Sequence, residues 1–258
     1  MIACGRRAAP RCGIVIPAYN EETSIASMVG RICAYGTVIV VSDASSDATD
    51  ERALAAGALV VRHPTNRGYD AALRTGFAKA CDLGLAYVIS CDADGQHDPR
   101  VVPRFFKALD AGCWVATGVR DQRPRLAESL FAMFTAWRWG IRDPMCGMKA
   151  YRTEIFKAMG HCGSYASVGS EALLFAARQR LPIAQLPIPI HQRDHGVSRF
   201  GATWKAEKRI IVAALAALTT RPAVAIRGRA ESLRSCSPLV IKRQHLCKST
   251  PGVHHAER

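Results

Sequence analysis

The chain has 258 residues, 49% of them apolar, and a formal net charge of +14. That length is ample for a sizeable core, in one large α/β domain or two small ones, and the apolar content excludes a disordered chain. Much of the charge lies at the end, where residues 221–258 hold eight Lys/Arg against two Glu, a balance that suits nucleic acid, acidic lipid head groups, a phosphorylated substrate or simply a solvated tail.

Residues 1–11 read as a tail: Met1–Pro10 is short, carries Arg6 and Arg7 and lacks a secretory pattern. From there to residue 120, β-branched apolar runs alternate with stretches of helical spacing. GIVIP (13–17), TVIVV (37–41), ALVVR (58–62), YVIS (87–90) and CWVATG (113–118) read as strands. Glu22–Tyr35, Ala48–Ala56, Gly68–Leu83 and Pro99–Ala111 read as helices, so the pattern is β-α-β with a mainly parallel central sheet flanked by helices. Thr23 and Ser24, Ser46 and Asp47, and Asp98 followed by Pro99 mark three of the helix starts.

Beyond residue 120 the pattern loosens. RPRLAESLFAMFTAWRWG (123–140) has helical spacing and several aromatics, and DPMCGMKAYR (143–152) turns into a strand. GSEALLFAARQR (169–180) is a helix with Ser170 at its start, and IAQLPIPI (183–190) an edge strand, where prolines are tolerated. A polar stretch, HQRDHGVSRFG (191–201), leads into a helix over 202–218 that Arg221-Pro222 ends. That helix carries Lys205, Lys208 and Arg209 before IIVAALAAL (210–218), which suits either a membrane surface or plain core packing. The apolar run is far shorter than the roughly 18–20 residues of a membrane span. The ten cysteines form no C-x-x-C pair, which points to a reduced, cytoplasmic compartment.

Three polar clusters fall just after strands: PAYNEE (17–22), SDASSDATD (42–50) and CDADGQHD (91–98). In a parallel sheet ligands gather beyond the carboxyl ends of the strands, so three such loops make one site. Asp92 and Asp94, two apart with Gly95 to permit a turn, can reach one hard divalent cation, with Gln96 as a further oxygen donor and His97 near metal or phosphate. A calcium loop would add a third ligand position and a terminal glutamate, which are missing, and a charged turn that binds nothing is the remaining alternative. The chain has no G-x-x-x-x-G-K-[ST], no strand-linked G-x-G-x-x-G and no G-x-S-x-G, which disfavours P-loop hydrolases, dinucleotide dehydrogenases and serine hydrolases.

IVIPAYNEE, VSDASSDAT, NRGYDAALRTGFAKA and DADGQHDP, in this order, resemble the nucleotide-sugar half of family 2 glycosyltransferases with the GT-A fold. GVR (118–120), DPMCGMKAYR and HGVSRFG (195–201) extend the resemblance over about residues 12–218, and these motifs look most like polyprenyl- and dolichyl-phosphate sugar transferases. The resemblance implies a single GT-A domain over 12–220, with a nucleotide-sugar half (12–120), an acceptor half with the C-terminal helix (121–220), and a poorly ordered basic tail (221–258).

Carried over by position, Pro17, Tyr19 and Glu21 lie around the nucleoside, Asp43 bonds the base, and Arg67 and Gly68 approach the nucleotide. Ser42 stands where the family often has a first aspartate. Asp92, Asp94 and Gln96 hold Mg²⁺ or Mn²⁺ on the diphosphate, with Asp94 at the catalytic centre. Arg120, Arg125 and Ser129 bind an acceptor phosphate, and His195, Ser198 and Arg199 close over the diphosphate. The implied reaction is metal-assisted, inverting transfer of a sugar to a lipid phosphate, which is already an anionic nucleophile.

A glycan hydroxyl, as in cell-wall or lipopolysaccharide assembly, is the alternative acceptor; it needs a base, for which Glu171 is the candidate. A more distant reading, a basic nucleic-acid-binding protein, rests on charge alone, because no recognised motif accompanies the tail and no nucleic-acid partner is expected. The expected setting is cytoplasmic, with peripheral contact at the inner face of the membrane.

Overall fold

The computed structural model describes residues 12–93, 98–121, 126–160 and 168–189. The helix and tail read at 202–258, and the tail at 1–11, lie outside the described residues. Seven strands form one sheet: β1 Cys12–Ala18, β2 Thr37–Ser42, β3 Leu59–Arg62, β4 Tyr87–Ser90, β5 Val115–Arg120, β6 Lys149–Arg152 and β7 Ile183–Ile188, in the spatial order β3-β2-β1-β4-β6-β5-β7. All run parallel except β6, which lies antiparallel between β4 and β5. The mainly parallel α/β sheet expected from the strand runs is therefore the one observed, and β7, with Pro187, sits at the edge.

Among the described residues seven helices accompany the sheet: α1 Ile25–Ile32, α2 Thr49–Ala55, α3 Tyr69–Asp82, α4 Val102–Asp110, α5 Leu126–Trp139, α6 Glu154–Met159 and α7 Val168–Arg178. Two expected helices are shorter than read, because Cys33–Tyr35 and Pro99–Val101 form 3-10 turns at their ends. Asp98 does cap its turn, accepting the Arg100 backbone N–H at 3.0 Å. The Arg100 guanidinium also bonds it and holds its carboxyl below the usual aspartate range.

Successive strand residues point to opposite faces, so the β-branched runs feed two cores. Ile14, Ile16, Val38, Val40 and Ile89 pack with Ile25, Val29 and Ile32 of α1 and Val102, Phe105 and Leu109 of α4. On the other face Val15, Ile39, Val41, Val88 and Val115 meet Leu73 and Phe77 of α3, Ile155 and Phe156 of α6 and Leu173 of α7. Phe77 stacks on Phe156 at 5.1 Å and meets Tyr151 edge-on at 5.7 Å. These helices leave one rim of the sheet for loops. The carboxyl ends of β1, β2, β4 and β5 lie there, and β6 begins there, with Lys149 opposite Ser90 and Thr117.

Candidate functional site

The first two polar loops are fastened to each other by side chain to backbone bonds. Ser45 Oγ accepts the Asn20 N–H at 3.1 Å, and Asn20 Oδ1 accepts the Ser46 N–H at 2.9 Å. Thr49 Oγ1 accepts the Glu21 N–H at 2.8 Å, and the Ser24 hydroxyl donates to Glu21 Oε2 at 3.0 Å. Pro17 is buried at the end of β1, while Tyr19 is exposed just beyond it. The PAYNEE and SDASSDATD clusters thus form one surface beside β1 and β2.

Asp43, buried at the end of β2, organises the third element. Its Oδ1 accepts the backbone N–H of Arg67 at 2.8 Å and bonds Nδ1 of His63 at 2.7 Å, and its Oδ2 accepts the Gly68 N–H at 2.7 Å. Burial alone would raise its pKa, but these donors outweigh it and hold the carboxyl below the ordinary aspartate value. An ionised Asp43 makes His63 Nδ1 a donor and turns Nε2 toward Thr75 Oγ1 at 2.9 Å. Gly68 has φ 88, in the left-handed region that a side chain resists, and that geometry aims its N–H at the carboxylate while α3 starts behind it. A carboxylate offers about four lone-pair positions. Three already serve the chain, which leaves about one toward a ligand.

Next along the rim is Asp92, half-buried just after β4. The Tyr69 hydroxyl, one residue beyond Gly68, donates to its Oδ1 at 2.7 Å. Burial, reinforced by the Asp92 charge, raises the Tyr69 pKa well above its ordinary value, so the phenol stays a donor. On the other side lies Gly147: a Cβ there would sit 2.7 Å from Asp92 Oδ2, inside contact distance. The chain thus orients one oxygen of the acid through Tyr69 and packs the other against Gly147, where a side chain would not fit. Oxygen donors of this kind fit Mg²⁺ or Mn²⁺. Asp94, Gln96 and His97 lie outside the described residues.

The loop from Asp143 to Met148 carries the site toward β5. Arg120, at the end of β5, is gripped by two buried acids: its Nε and Nη2 bond Asp143 at 2.8 and 3.0 Å, and Nη2 bonds Glu128 of α5 at 2.9 Å. Burial would lower the Arg120 pKa, but Asp143 and Glu128 raise it, and the same contact keeps Asp143 below the usual aspartate range. The resemblance puts Arg120 on an acceptor phosphate; in the structure its Nε and Nη2 tie β5, α5 and the 143–148 loop together. Ser129 sits half-buried next to Glu128. Arg125, His195, Ser198 and Arg199 lie outside the described residues.

Sequence reasoning assigned no role to Lys149. It is buried at the first position of β6 and donates to the Cys146 carbonyl. Burial lowers its pKa, with the nearby Cys146 and Asp143 opposing, while burial pushes the Cys146 thiol up to about 11. A lysine at an inward strand position was the available signal. Ser170 lies at the start of its helix as expected, and its hydroxyl donates to the Pro144 carbonyl at 2.9 Å, pinning the first turn of α7, with buried Glu171, to the same loop.

The sites read from separate motifs therefore join into one chain of contacts, from Asp43 through Gly68, Tyr69, Asp92 and Gly147 to Asp143, Arg120 and Glu128. Comparison with known proteins gives the family of the chain. Residues 13–160, more than half of the chain, match the model described as glycosyl transferase family 2. The chain is 28% identical to the polyprenol monophosphomannose synthase of Mycolicibacterium smegmatis over 76% of its own length and 83% of that protein's. It is 30% identical to the undecaprenyl-phosphate 4-deoxy-4-formamido-L-arabinose transferase of Edwardsiella ictaluri, over 73% of this chain and 62% of that one. Among solved structures, glucosyl-3-phosphoglycerate synthase of Mycobacterium tuberculosis, crystallised with Mn²⁺, UDP and glucosyl-3-phosphoglycerate, superposes with TM-score 0.64. That likeness covers 82% of this chain and 81% of the other at 22% identity, and it shows the GT-A-like fold. The protein is a glycosyltransferase, and the chain belongs to glycosyl transferase family 2.

Proposed function

We propose that the protein transfers a sugar from a nucleoside-diphosphate donor to a polyprenyl phosphate, with inversion at the anomeric carbon and with Mg²⁺ or Mn²⁺ bound at Asp92, Asp94 and Gln96. Asp92 carries the donor half of the reading, because at the carboxyl rim of the sheet its Oδ1 is oriented by Tyr69 and its Oδ2 is held against Gly147. Relatives named for polyprenol, undecaprenyl-phosphate and dolichyl-phosphate chemistry support the acceptor half.

In this reading Pro17, Tyr19 and Glu21 line the nucleoside, and Asp43 holds the Arg67–Gly68 turn against the nucleotide while offering its remaining lone pair to the base. The bound cation supplies charge neutralisation for the departing diphosphate. A phosphate oxygen of the lipid attacks the anomeric carbon from the face opposite the donor diphosphate. The new carbon–oxygen bond forms as the bond to the diphosphate oxygen breaks, and its electron pair leaves with the nucleoside diphosphate. No strong base is required, since the nucleophile is already an anion. Arg125 and Ser129 meet the acceptor phosphate, and Arg120 holds α5 and the 143–148 loop in register for them. His195, Ser198 and Arg199 close over the diphosphate.

Such an acceptor resides in a bilayer, so peripheral contact at the cytoplasmic face belongs to the same reading. Among the described residues no helix is long and apolar enough to cross a membrane. A hydroxyl acceptor would instead need Glu171 as base.

A screen of nucleotide sugars with Mn²⁺, with and without a polyprenyl phosphate, tests the proposal. Expected is turnover that requires the lipid phosphate, gives an inverted anomer by NMR, and stops in chelator and in Asp94→Asn. Full activity in chelator overturns the metal. Turnover on a glycan hydroxyl that Glu171→Gln abolishes overturns the acceptor.

A further inference from the structure

The sequence of α5, LAESLFAMFTAWRW, is apolar on both faces. Its inward face is ordinary: Glu128, Phe131, Ala132 and Thr135 are buried. Leu126, Leu130, Met133 and Trp137 follow at helical spacing on the opposite side, where they are 73%, 55%, 64% and 80% exposed, with Phe134 beside them. Nine large apolar side chains are exposed among the described residues, and five of them are these; single exposed apolar residues are ordinary, but a contiguous stripe marks an interaction surface.

What the stripe meets is indicated by its surroundings. At the carboxyl end of α5, Arg138, Arg178 and Arg180 line a cavity of about 790 Å³ together with Phe134, Trp139 and Gln185, and no acid lines it. The Arg138 guanidinium lies 5.3 Å from the Trp139 ring centroid. A cationic rim beside an aromatic and aliphatic face is complementary to anionic head groups over hydrocarbon. It is poorly suited to a second copy of a chain that carries a net +14.

We propose that the outward face of α5, with the arginine-lined cavity at its end, is a docking surface for an anionic bilayer. The stripe lies at head-group depth with its long axis along the membrane, and the arginines meet lipid phosphates. Ser129 lies half-buried on the flank of the stripe, so docking brings the proposed acceptor-phosphate side chains to the surface where a lipid phosphate is presented. The purpose of the surface rests on the lipid-phosphate reading; its existence does not.

The test is flotation of the full chain with vesicles free of polyprenyl phosphate, either pure phosphatidylcholine or an equimolar mixture with phosphatidylglycerol. The wild type is expected to float with the anionic vesicles and to release at high salt. Leu130→Glu/Trp137→Glu is expected to lose on the order of a hundredfold in partitioning. Its Tm, and its turnover of a detergent-solubilised polyprenyl phosphate, are expected to stay unchanged. Absence of flotation in the wild type, or equal flotation of the double variant, overturns the proposal. So does a sharp fall in Tm of the double variant, which would mean that the face is covered by another part of the chain. A wild-type dimer in light scattering that the variant dissociates would assign the face to a second copy instead. Flotation without lipid-phosphate turnover would leave the docking surface standing and remove the acceptor reading, whereas turnover in detergent without flotation would do the reverse.

Discussion

The Tyr69 hydroxyl reaches Asp92 across 2.7 Å, linking the first residue of α3 to the acid that follows β4. Buried, and facing that charge, the phenol has a raised pKa and acts as a fixed donor. Hydrogen bonds of this kind orient metal-binding carboxylates, and their loss commonly costs about 10–100-fold in metal affinity. Tyr69→Phe keeps the ring and removes only the donor. We expect its Kd for Mn²⁺, measured by titration, to rise roughly tenfold while Tm changes little; unchanged metal affinity would separate Tyr69 from the site.

Gly147→Ala probes the other side of the same acid. The added Cβ would lie 2.7 Å from Asp92 Oδ2, so the carboxylate must shift. The expected outcome is a loss of about tenfold or more in Mn²⁺ affinity with the fold intact by circular dichroism, and Gly147→Ser should be at least as damaging.

Arg120 distinguishes a phosphate ligand from a structural clamp. Replacing it by Met takes away the guanidinium that Asp143 and Glu128, both buried, share. Breaking such a pair costs about 3 kcal/mol or more, which urea denaturation would resolve. Asp143→Asn should reproduce much of the loss, although it takes no positive charge away from an acceptor. If Arg120→Met instead raised the acceptor KM alone, at unchanged stability, the clamp role would be wrong.

Asp43 gives a pH signature. Its pKa is depressed in the fold, so its contribution to stability is complete above the unfolded aspartate value of about 4 and is lost as pH falls through the lower folded value. Asp43→Asn is expected to cost about 2 kcal/mol at pH 7. Its stability should then fall less steeply than that of the wild type as the pH is lowered below about 4, measured by denaturant unfolding across that range.

The sheet was readable because GIVIP, TVIVV and YVIS are short, β-branched and bounded by polar turns, so local pattern and final structure agree. The insertion of β6 between β4 and β5 was not, since nothing local in KAYR states which strands lie beside it. Helix α6 was also missed: EIFKAM, six residues, is too short for a helical period to show. At the site, the carboxyl-edge clusters announced Asp43 and Asp92, whereas His63, Tyr69, Asp143 and Gly147 act through partners that stand 20 or more positions away. Arg120 is the sharpest case: GVR suggested a cation at hand for a ligand, and only the fold brings two buried acids to it.

The place of β6 also bears on how the chain can be divided. β5 belongs by sequence to the nucleotide-sugar half, yet its two neighbours in the sheet are β6 and β7, both from beyond residue 120. β4 likewise has β6 on one side. The two halves are therefore interlaced by backbone pairing rather than set side by side. A fragment cut at that boundary exposes unpaired strand edges on both pieces, and separately produced pieces should regain a fold only by complementation. Exchange of acceptor specificity between relatives should accordingly work by grafting loops onto an intact sheet and fail when whole halves are swapped.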